Sequence, residues 1–303
     1  MLQRYDLRNA DLLVWINGTI EHRDTARISP FDSAVQGGDA VWEGLRLTQG
    51  RIFGLIDHLE RLRRSAHALA FVSVPNIADL IVAVREALQA NEMVDGVHIR
   101  LTLTRGVKVT SGMDPRLNAS GPTLIVLPEF KPPVYEMGGL RLITSSVRRH
   151  SPDTLDPTIH HNNLLTSIMA KVQANVAGVD DALMLDAQGF IAETNATHVF
   201  WVRDGLLYTP TAKACPEGIT RAAVLRLCSE FDIAYQVGDY PTTALYNADE
   251  AFCSGTMGGL APIVEVDGRA IGSGQPGPTT AHLQIAYQQL GEQEGYPIFV
   301  PYV

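Results

Sequence analysis

Four short stretches of the chain combine residue types that could do chemistry. Gly218-Ile219-Thr220-Arg221 opens a segment of helical periodicity. The unpaired N–H groups and positive dipole end of a helix start suit a phosphate; the plainer reading is a helix beginning with a threonine near its cap. Ser254-Gly255-Thr256-Met257-Gly258-Gly259 follows the apolar run EAFC. Its hydroxyls and small residues let a backbone approach a ligand closely, or form an ordinary glycine-rich loop. Glu193-Thr194-Asn195-Ala196-Thr197 follows a strand signal. Its carboxylate could pair with a protonated ring nitrogen, or the stretch is a polar turn. His160-His161-Asn162-Asn163 stands just before an apolar helical run. Adjacent residues point in different directions and no nearby carboxylate completes a ligand set, so no metal is expected there. The asparagines suit a cap and loop.

These stretches need elements to position them. Helical periodicity appears over 56–70, with Leu59, Leu62 and Ala66 on one face, and over 76–91 after Pro75. It returns over 163–177, where Leu164, Leu165, Ile168, Met169 and Val172 form an apolar face, over 219–232, and over 278–291 after Pro276. Gln49-Gly50, Gln188-Gly189, Asp204-Gly205 and Asp267-Gly268 each separate two extended apolar runs and read as hairpin turns. Breaks fall at GMDPRLNASGP (112–122) and EFKPPVYEMGG (129–139). No repeat of about 20–50 residues is visible. The irregular mixture of helices and strands reads as α+β. The second break divides it into a first domain over 1–130, a linker over 131–138 and a second domain over 139–303.

Composition narrows the class. The chain has 303 residues, 24 Lys plus Arg against 33 Asp plus Glu, and a net charge of −9. That argues against a nucleic-acid partner, which a basic face would have to hold. Cys215, Cys228 and Cys253 are odd in number and form no CxxC pair. Neither a disulfide framework nor a zinc site is expected, and a reducing cytoplasm suits them. MLQRYDLRNADLLVW carries early charges and does not read as a secretory signal. No stretch approaches the roughly 18 apolar residues of a membrane span. A soluble cytoplasmic enzyme is the expectation.

Taken in order, the blocks resemble the class IV pyridoxal-phosphate aminotransferases, the group of branched-chain, D-amino acid and R-selective amine aminotransferases and aminodeoxychorismate lyase. WINGTI (15–20), ARISPFD (26–32), GGDAVWEGLR (37–46) and HLERLRRSA (58–66) carry it in the first half. ALMLDAQGFIAETNATHVFWVRDGLLYTP (182–210), PEGITR (216–221) and GTMGGLAPIVEVDGR (255–269) carry it in the second. The resemblance implies a smaller N-terminal α/β domain, a larger C-terminal domain with a barrel-like sheet, an active site in the cleft between them, and a homodimer. The apolar tail YPIFVPYV (296–303) could pack on a neighbour or on its own core.

The resemblance also assigns roles. Arg61 becomes the phosphate-binding arginine, a planar multi-donor suited to a dianion. Ile219, Thr220 and Thr256 become further phosphate contacts. Glu193 becomes the partner that keeps the pyridine nitrogen protonated, so that the ring withdraws electrons. Gly37, Trp42, Arg100, Met257 and Gly258 fall around the substrate pocket, Arg100 being equally readable as a strand-edge charge. Gly37 stands where an aromatic residue often lines that pocket, Leu164 where many branched-chain enzymes have a tyrosine, and Gly259 where an acidic residue is common. A roomier pocket follows, for a substrate other than a branched-chain amino acid.

One departure outweighs these. The family lysine, in patterns like I-K-x-x-N, is replaced by His160. An imidazole cannot form the Schiff base that a primary amine forms with pyridoxal phosphate. Lys171 is the nearest lysine, about three helical turns later, where relatives carry a lysine besides the catalytic one. Three functions follow from the resemblance. The first is amino transfer between an amino acid or amine and a 2-keto acid, with pyridoxal or pyridoxamine 5'-phosphate bound non-covalently and His160 shuttling the proton. The second is a cofactor-independent hydrolase or lyase acting on an amino or keto acid, with His160 or His161 as general base. The third is a catalytically silent binding protein.

Overall fold

Where the chain reverses at Asp204-Gly205, Asp267-Gly268 and Gln49-Gly50, both central residues have positive φ, as a two-residue type I′ hairpin requires. The computed structural model describes residues 3–135 and 138–300. Residues 136–137 of the expected linker and 301–303 of the apolar tail lie outside the described residues. The described chain divides into two compact units; residues 159–163, which interrupt the second unit in sequence, and 291–300, which follow it, belong with the first.

The first unit contains β1 (Leu13–Ile16), β2 (Thr19–His22), α1 (Ser33–Gly37), β3 (Ala40–Thr48), β4 (Arg51–Ile52), α2 (Leu55–Ala68), α3 (Ile77–Ala90), β5 (Val97–Thr104) and β6 (Thr123–Phe130). Its seven-stranded antiparallel sheet runs from Tyr296–Pro297 through β4, β3, β5, β6 and β1 to β2. Alternation on β3 and β5 turns Val41, Leu45, Leu47, Val97, Ile99, Leu101 and Leu103 into one core with Leu59 and Leu62 of α2 and Leu80 and Val84 of α3. Full burial of such side chains stabilises by about 1.5–3 kcal/mol each. The same alternation puts Glu43 on the core side of β3, between Val41 and Leu45, with no exposed surface.

The second unit contains β7 (Leu140–Thr144), α4 (Leu165–Ala177), β8 (Asp181–Leu185), β9 (Ile191–Thr194), β10 (His198–Arg203), β11 (Leu206–Pro210), α5 (Ile219–Glu230), β12 (Tyr235–Gly238), α6 (Thr242–Tyr246), β13 (Glu250–Gly255), β14 (Gly259–Val266), β15 (Arg269–Ala270) and most of α7 (Pro278–Glu294). Its nine-stranded mixed sheet is ordered β12-β11-β10-β13-β14-β7-β8-β9, with β15 paired to β14. Although β9 ends that order, it also packs against β10 and β11, so the sheet curls back on itself in a barrel-like way. Trp201, Val199, Leu183, Cys253 and Ile263 fill its core. The α+β class holds in both units.

Helix α4 departs from its sequence reading. Its apolar stripe, expected to face a core, is exposed: Leu165 by 72%, Ile168 by 54%, Met169 by 56% and Val172 by 53%. The helix instead packs through Ala170 and Ala174 onto Ala182 and Met184. Small residues allow that close approach, and the larger apolar face is left outward.

Candidate functional site

In the first unit the site is built around a buried charge. Glu43 accepts from Arg61 Nε at 2.8 Å and Arg61 Nη2 at 2.7 Å, a bidentate pairing that fixes the guanidinium plane. His58 Nδ1 donates to Glu43 Oε2 at 2.7 Å. Burial alone would raise the Glu43 pKa; the charge of His160 and hydrogen bonds from Arg61, His160 and His58 hold it well below the usual carboxylate range. Burial pushes His58 down despite the carboxylate beside it. Arg61 and His58 reach Glu43 from the core-facing side of α2, where the helical spacing that buries Leu59 and Leu62 also places them.

Residues 159–163 lie along the open end of β3. Trp42 N donates to the His160 carbonyl at 3.1 Å, and Asn162 N to the Ala40 carbonyl at 2.8 Å. The His160 ring stacks on Trp42 with centroids 4.5 Å apart. Its Nδ1 lies 2.5 Å from the Trp42 carbonyl oxygen and 3.4 Å from Glu43 Oε1. Arg100 reaches the same place from β5: its guanidinium sits 4.1 Å over the Trp42 ring and Nη2 donates to Asn162 Oδ1 at 2.5 Å. A Cβ added at Gly37 would meet nothing within 4 Å. His160, Arg61, Trp42 and Arg100 thus form one cluster; the His161 carbonyl accepts from Trp42 Nε1 at 3.1 Å, and its ring takes a hydrogen bond on Nδ1 from Asn163 N at 3.2 Å.

The second unit gathers the remaining candidates. Glu193 on β9 is buried and ion-paired to Arg149 Nη2 at 2.9 Å. Arg149 is itself fixed by Ser167 Oγ at 3.0 Å and the Ala214 carbonyl at 3.1 Å. Ile219 and Thr220 form the first turn of α5, whose cap Gly218 supplies no side-chain bond to the leading N–H groups. Thr220 is buried and shares a hydrogen bond with Tyr287 at 3.3 Å. Thr256, Met257 and Gly258 form the turn between β13 and β14, beside Ser254, whose buried Oγ has no hydrogen-bond partner. A Cβ at Gly258 would lie 2.6 Å from the Tyr135 ring, so the turn packs too tightly there for a side chain.

Glu193, His198 and Cys215 also place one ligand-type atom each within 4.8 Å of one another. The Arg149 charge on Glu193 opposes a cation at that point, and burial drives the Cys215 thiol pKa up. Paired to a guanidinium, Glu193 is a poorer metal ligand than an unpaired carboxylate would be. Three of the four lysines are engaged elsewhere: Lys171 is tied to Asp181 at 3.1 Å and to the Asp180 carbonyl, Lys213 to Asp239 at 2.6 Å, and Lys108 to the Gly112 carbonyl. Lys131 follows β6, and its carbonyl holds Arg46, further along β3 than Trp42.

Several participants escape a reading of the sequence. Glu43 had a usable signal, a charged residue at an inward position of an apolar strand. His58 sits three residues from Arg61 on the same helix face. Arg149 and His198 carry no local signal, because their partners are distant in sequence.

The amino-transferase class IV family matches residues 40–266. Branched-chain-amino-acid aminotransferase-like protein 2 of Arabidopsis thaliana is 50% identical over 291 residues, 96% of this chain and 52% of its own length. This chain therefore spans about half the length of that relative and of its paralogue, protein 1. A putative branched-chain-amino-acid aminotransferase of Methanocaldococcus jannaschii is 37% identical over 94% of this chain and 99% of its own. Among solved structures, a branched-chain aminotransferase from the thermophilic archaeon Thermoproteus uzoniensis with norvaline superposes with a TM-score of 0.88 at 29% identity, covering 95% of this chain and 99% of its own. A T.th. branched-chain amino acid aminotransferase complexed with N-(5'-phosphopyridoxyl)-L-glutamate gives 0.87 at 30%, and with pyridoxamine 5'-phosphate 0.88 at 29%, each with the same coverage. On this match, the chain belongs to the class IV amino-transferase family.

Proposed function

We propose that the protein transfers an amino group between an amino acid or amine and a 2-keto acid, using pyridoxal or pyridoxamine 5'-phosphate held without a covalent tether. The observation that carries this reading is the buried Glu193 carboxylate, oriented by its ion pair with Arg149. A buried anion of that kind suits a protonated ring nitrogen, and a cofactor-free site has little use for it. The α5 start at Ile219 and Thr220, with Thr256, would hold the phosphate in the second unit, and Arg61 is carried over from the resemblance as a further phosphate ligand. When bound, the cofactor supplies an electron-withdrawing ring that stabilises negative charge at the substrate's α-carbon. Trp42 and Arg100 are proposed as substrate-pocket residues on the resemblance, as are Met257, Gly258 and Gly37.

His160, at the position of the family's lysine, moves the proton in this reading. Lys171 is engaged with Asp181 and takes no part. The relatives with pyridoxamine 5'-phosphate and a phosphopyridoxyl amino acid support the choice of cofactor. Homodimers are proposed on the exposed apolar stripe of α4, and a cytoplasmic setting on three buried cysteines that carry no disulfide. Among the described residues no helix is long and apolar enough to cross a membrane.

The test follows the absorbance of added pyridoxamine 5'-phosphate on mixing protein with a panel of 2-keto acids. Slow conversion to the pyridoxal form is expected, faster by at least tenfold in His160→Lys. No conversion in either protein across the panel would refute the reading.

A further inference from the structure

We propose that Nε2 is the basic nitrogen of His160, and that the Trp42 carbonyl and the Glu43 carboxylate are positioning groups that set this by holding a hydrogen on Nδ1. A carbonyl oxygen can only accept, so the 2.5 Å contact from the Trp42 oxygen requires a hydrogen on Nδ1. Glu43 Oε1, 3.4 Å from the same nitrogen, is a second acceptor, ionised because Arg61 faces it with a fixed positive charge. In the neutral ring the lone pair is then on Nε2. The ring cannot easily turn to exchange the two nitrogens. It is stacked on the Trp42 indole at an interplanar angle of 26°, and its backbone is pinned on both sides, His160 N to Ser65 Oγ at 3.1 Å and the His160 carbonyl to Trp42 N at 3.1 Å. The side chain is 17% exposed, enough for one edge to be reached.

The neighbouring histidine shows the opposite arrangement. His161 Nδ1 accepts from Asn163 N, so its hydrogen is on Nε2. Two adjacent imidazoles are thus locked in opposite tautomers, and the one at the family's lysine position presents a base. When Nε2 takes a proton the ring becomes a cation, and Glu43 is placed to stabilise it through Nδ1–H. Resting on the amino-transfer reading above, Nε2 accepts the proton lost from the substrate's α-carbon. The C–H electron pair stays behind, and Nε2 then gives the proton up at a different atom from the one it left, so that the amino group can depart with a neutral His160 restored. Orientation by a hydrogen bond on the far nitrogen is how a histidine base is commonly held in one tautomer.

The experiment uses the whole chain labelled with 15N-histidine, without added cofactor, at a pH alkaline enough for the imidazole rings to be neutral. Long-range 1H–15N correlation reports which ring nitrogen of each histidine carries hydrogen, and His160→Gln identifies the His160 signals by their loss. A His160 ring with hydrogen on Nδ1 and a bare Nε2 is expected. Hydrogen on Nε2 alone, or averaging between the two forms, overturns the proposal. Glu43→Gln should move His160 toward a mixture of forms and lower the amino-transfer kcat more than KM; if that variant does not fold, the wild-type spectrum still decides. His160→Gln should reduce kcat about 100-fold, the scale of a positioned acid–base group. Undiminished transfer in that variant overturns the proton-carrying role while leaving the amino-transfer reading intact. The expected spectrum in a protein that transfers no amino group refutes the amino-transfer reading and supports the tautomer assignment.

Discussion

A carboxylate on the core-facing side of a strand has to be answered by positive charge. Glu43 meets that need with Arg61 and ties His58 and His160 to the same point. His98 on β5 is the opposite case. Among the described residues neither of its ring nitrogens has a hydrogen-bond partner, and burial, reinforced by Lys131, Arg46 and Arg100, pushes its pKa down to about 3. The unfolded chain would protonate it near 6.5. The unfolded state therefore binds more protons below that value, and stability that is complete above about pH 6.5 is lost as pH falls toward 3. Between pH 7 and 5 this one group should cost about 2 kcal/mol. Urea unfolding of wild type and His98→Leu at both pH values checks it: the variant's stability should fall by that much less, and parallel changes would contradict the assignment. Gly218 is a second residue with a sharp steric requirement. An added Cβ would lie 2.3 Å from His198 Nε2. Gly218→Ala should lose about 1–3 kcal/mol by overpacking, and His198→Ala in the same chain should recover part of it, as a double-mutant cycle would measure.

At the scale of elements, periodicity located all five long helices and glycine located four reversals. Gln188-Gly189 is the exception in detail: the turn is wider, with β8 and β9 pairing only from Leu185 and Ile191 outward. Asn17-Gly18 makes a further hairpin that the same signature, positive φ at both residues, could have found. What periodicity cannot give is which face of a helix meets its own sheet. On α4 the alanines do, because Ala170 and Ala174 allow close contact with β8, and five larger apolar residues from Leu165 to Val176 face outward. In the proposed homodimer this exposed apolar surface is the association face. Ile168→Glu with Val172→Glu should weaken self-association by at least tenfold in sedimentation analysis, while changing stability toward urea by no more than about 0.5 kcal/mol per site. Unchanged sedimentation would argue that α4 is not the contact. The site was legible to the same degree. Arg61, Glu193, Thr220 and His160 stand in blocks that local pattern marks, whereas Arg149 reaches Glu193, and Arg100 reaches Asn162, across separations that no short motif encodes.

Over the whole molecule, in the proposed reading, the chain combines the class IV scaffold with an imidazole, His160, at the position the resemblance gives to the tethering amine. Segment 159–163 returns to the first unit and delivers an imidazole beside Glu43, while three of the four lysines are engaged elsewhere. A net charge of −9 leaves the phosphate to be held by local cations and helix N–H groups rather than by a basic surface. The most direct test is to saturate the protein with pyridoxal 5'-phosphate, confirm saturable binding by absorbance, treat one sample with borohydride and dialyse another. The expected result is an unchanged intact mass after reduction and full recovery of the vitamer in the dialysate. A reduced adduct on any lysine of the native chain, or no binding up to millimolar cofactor, would contradict the account.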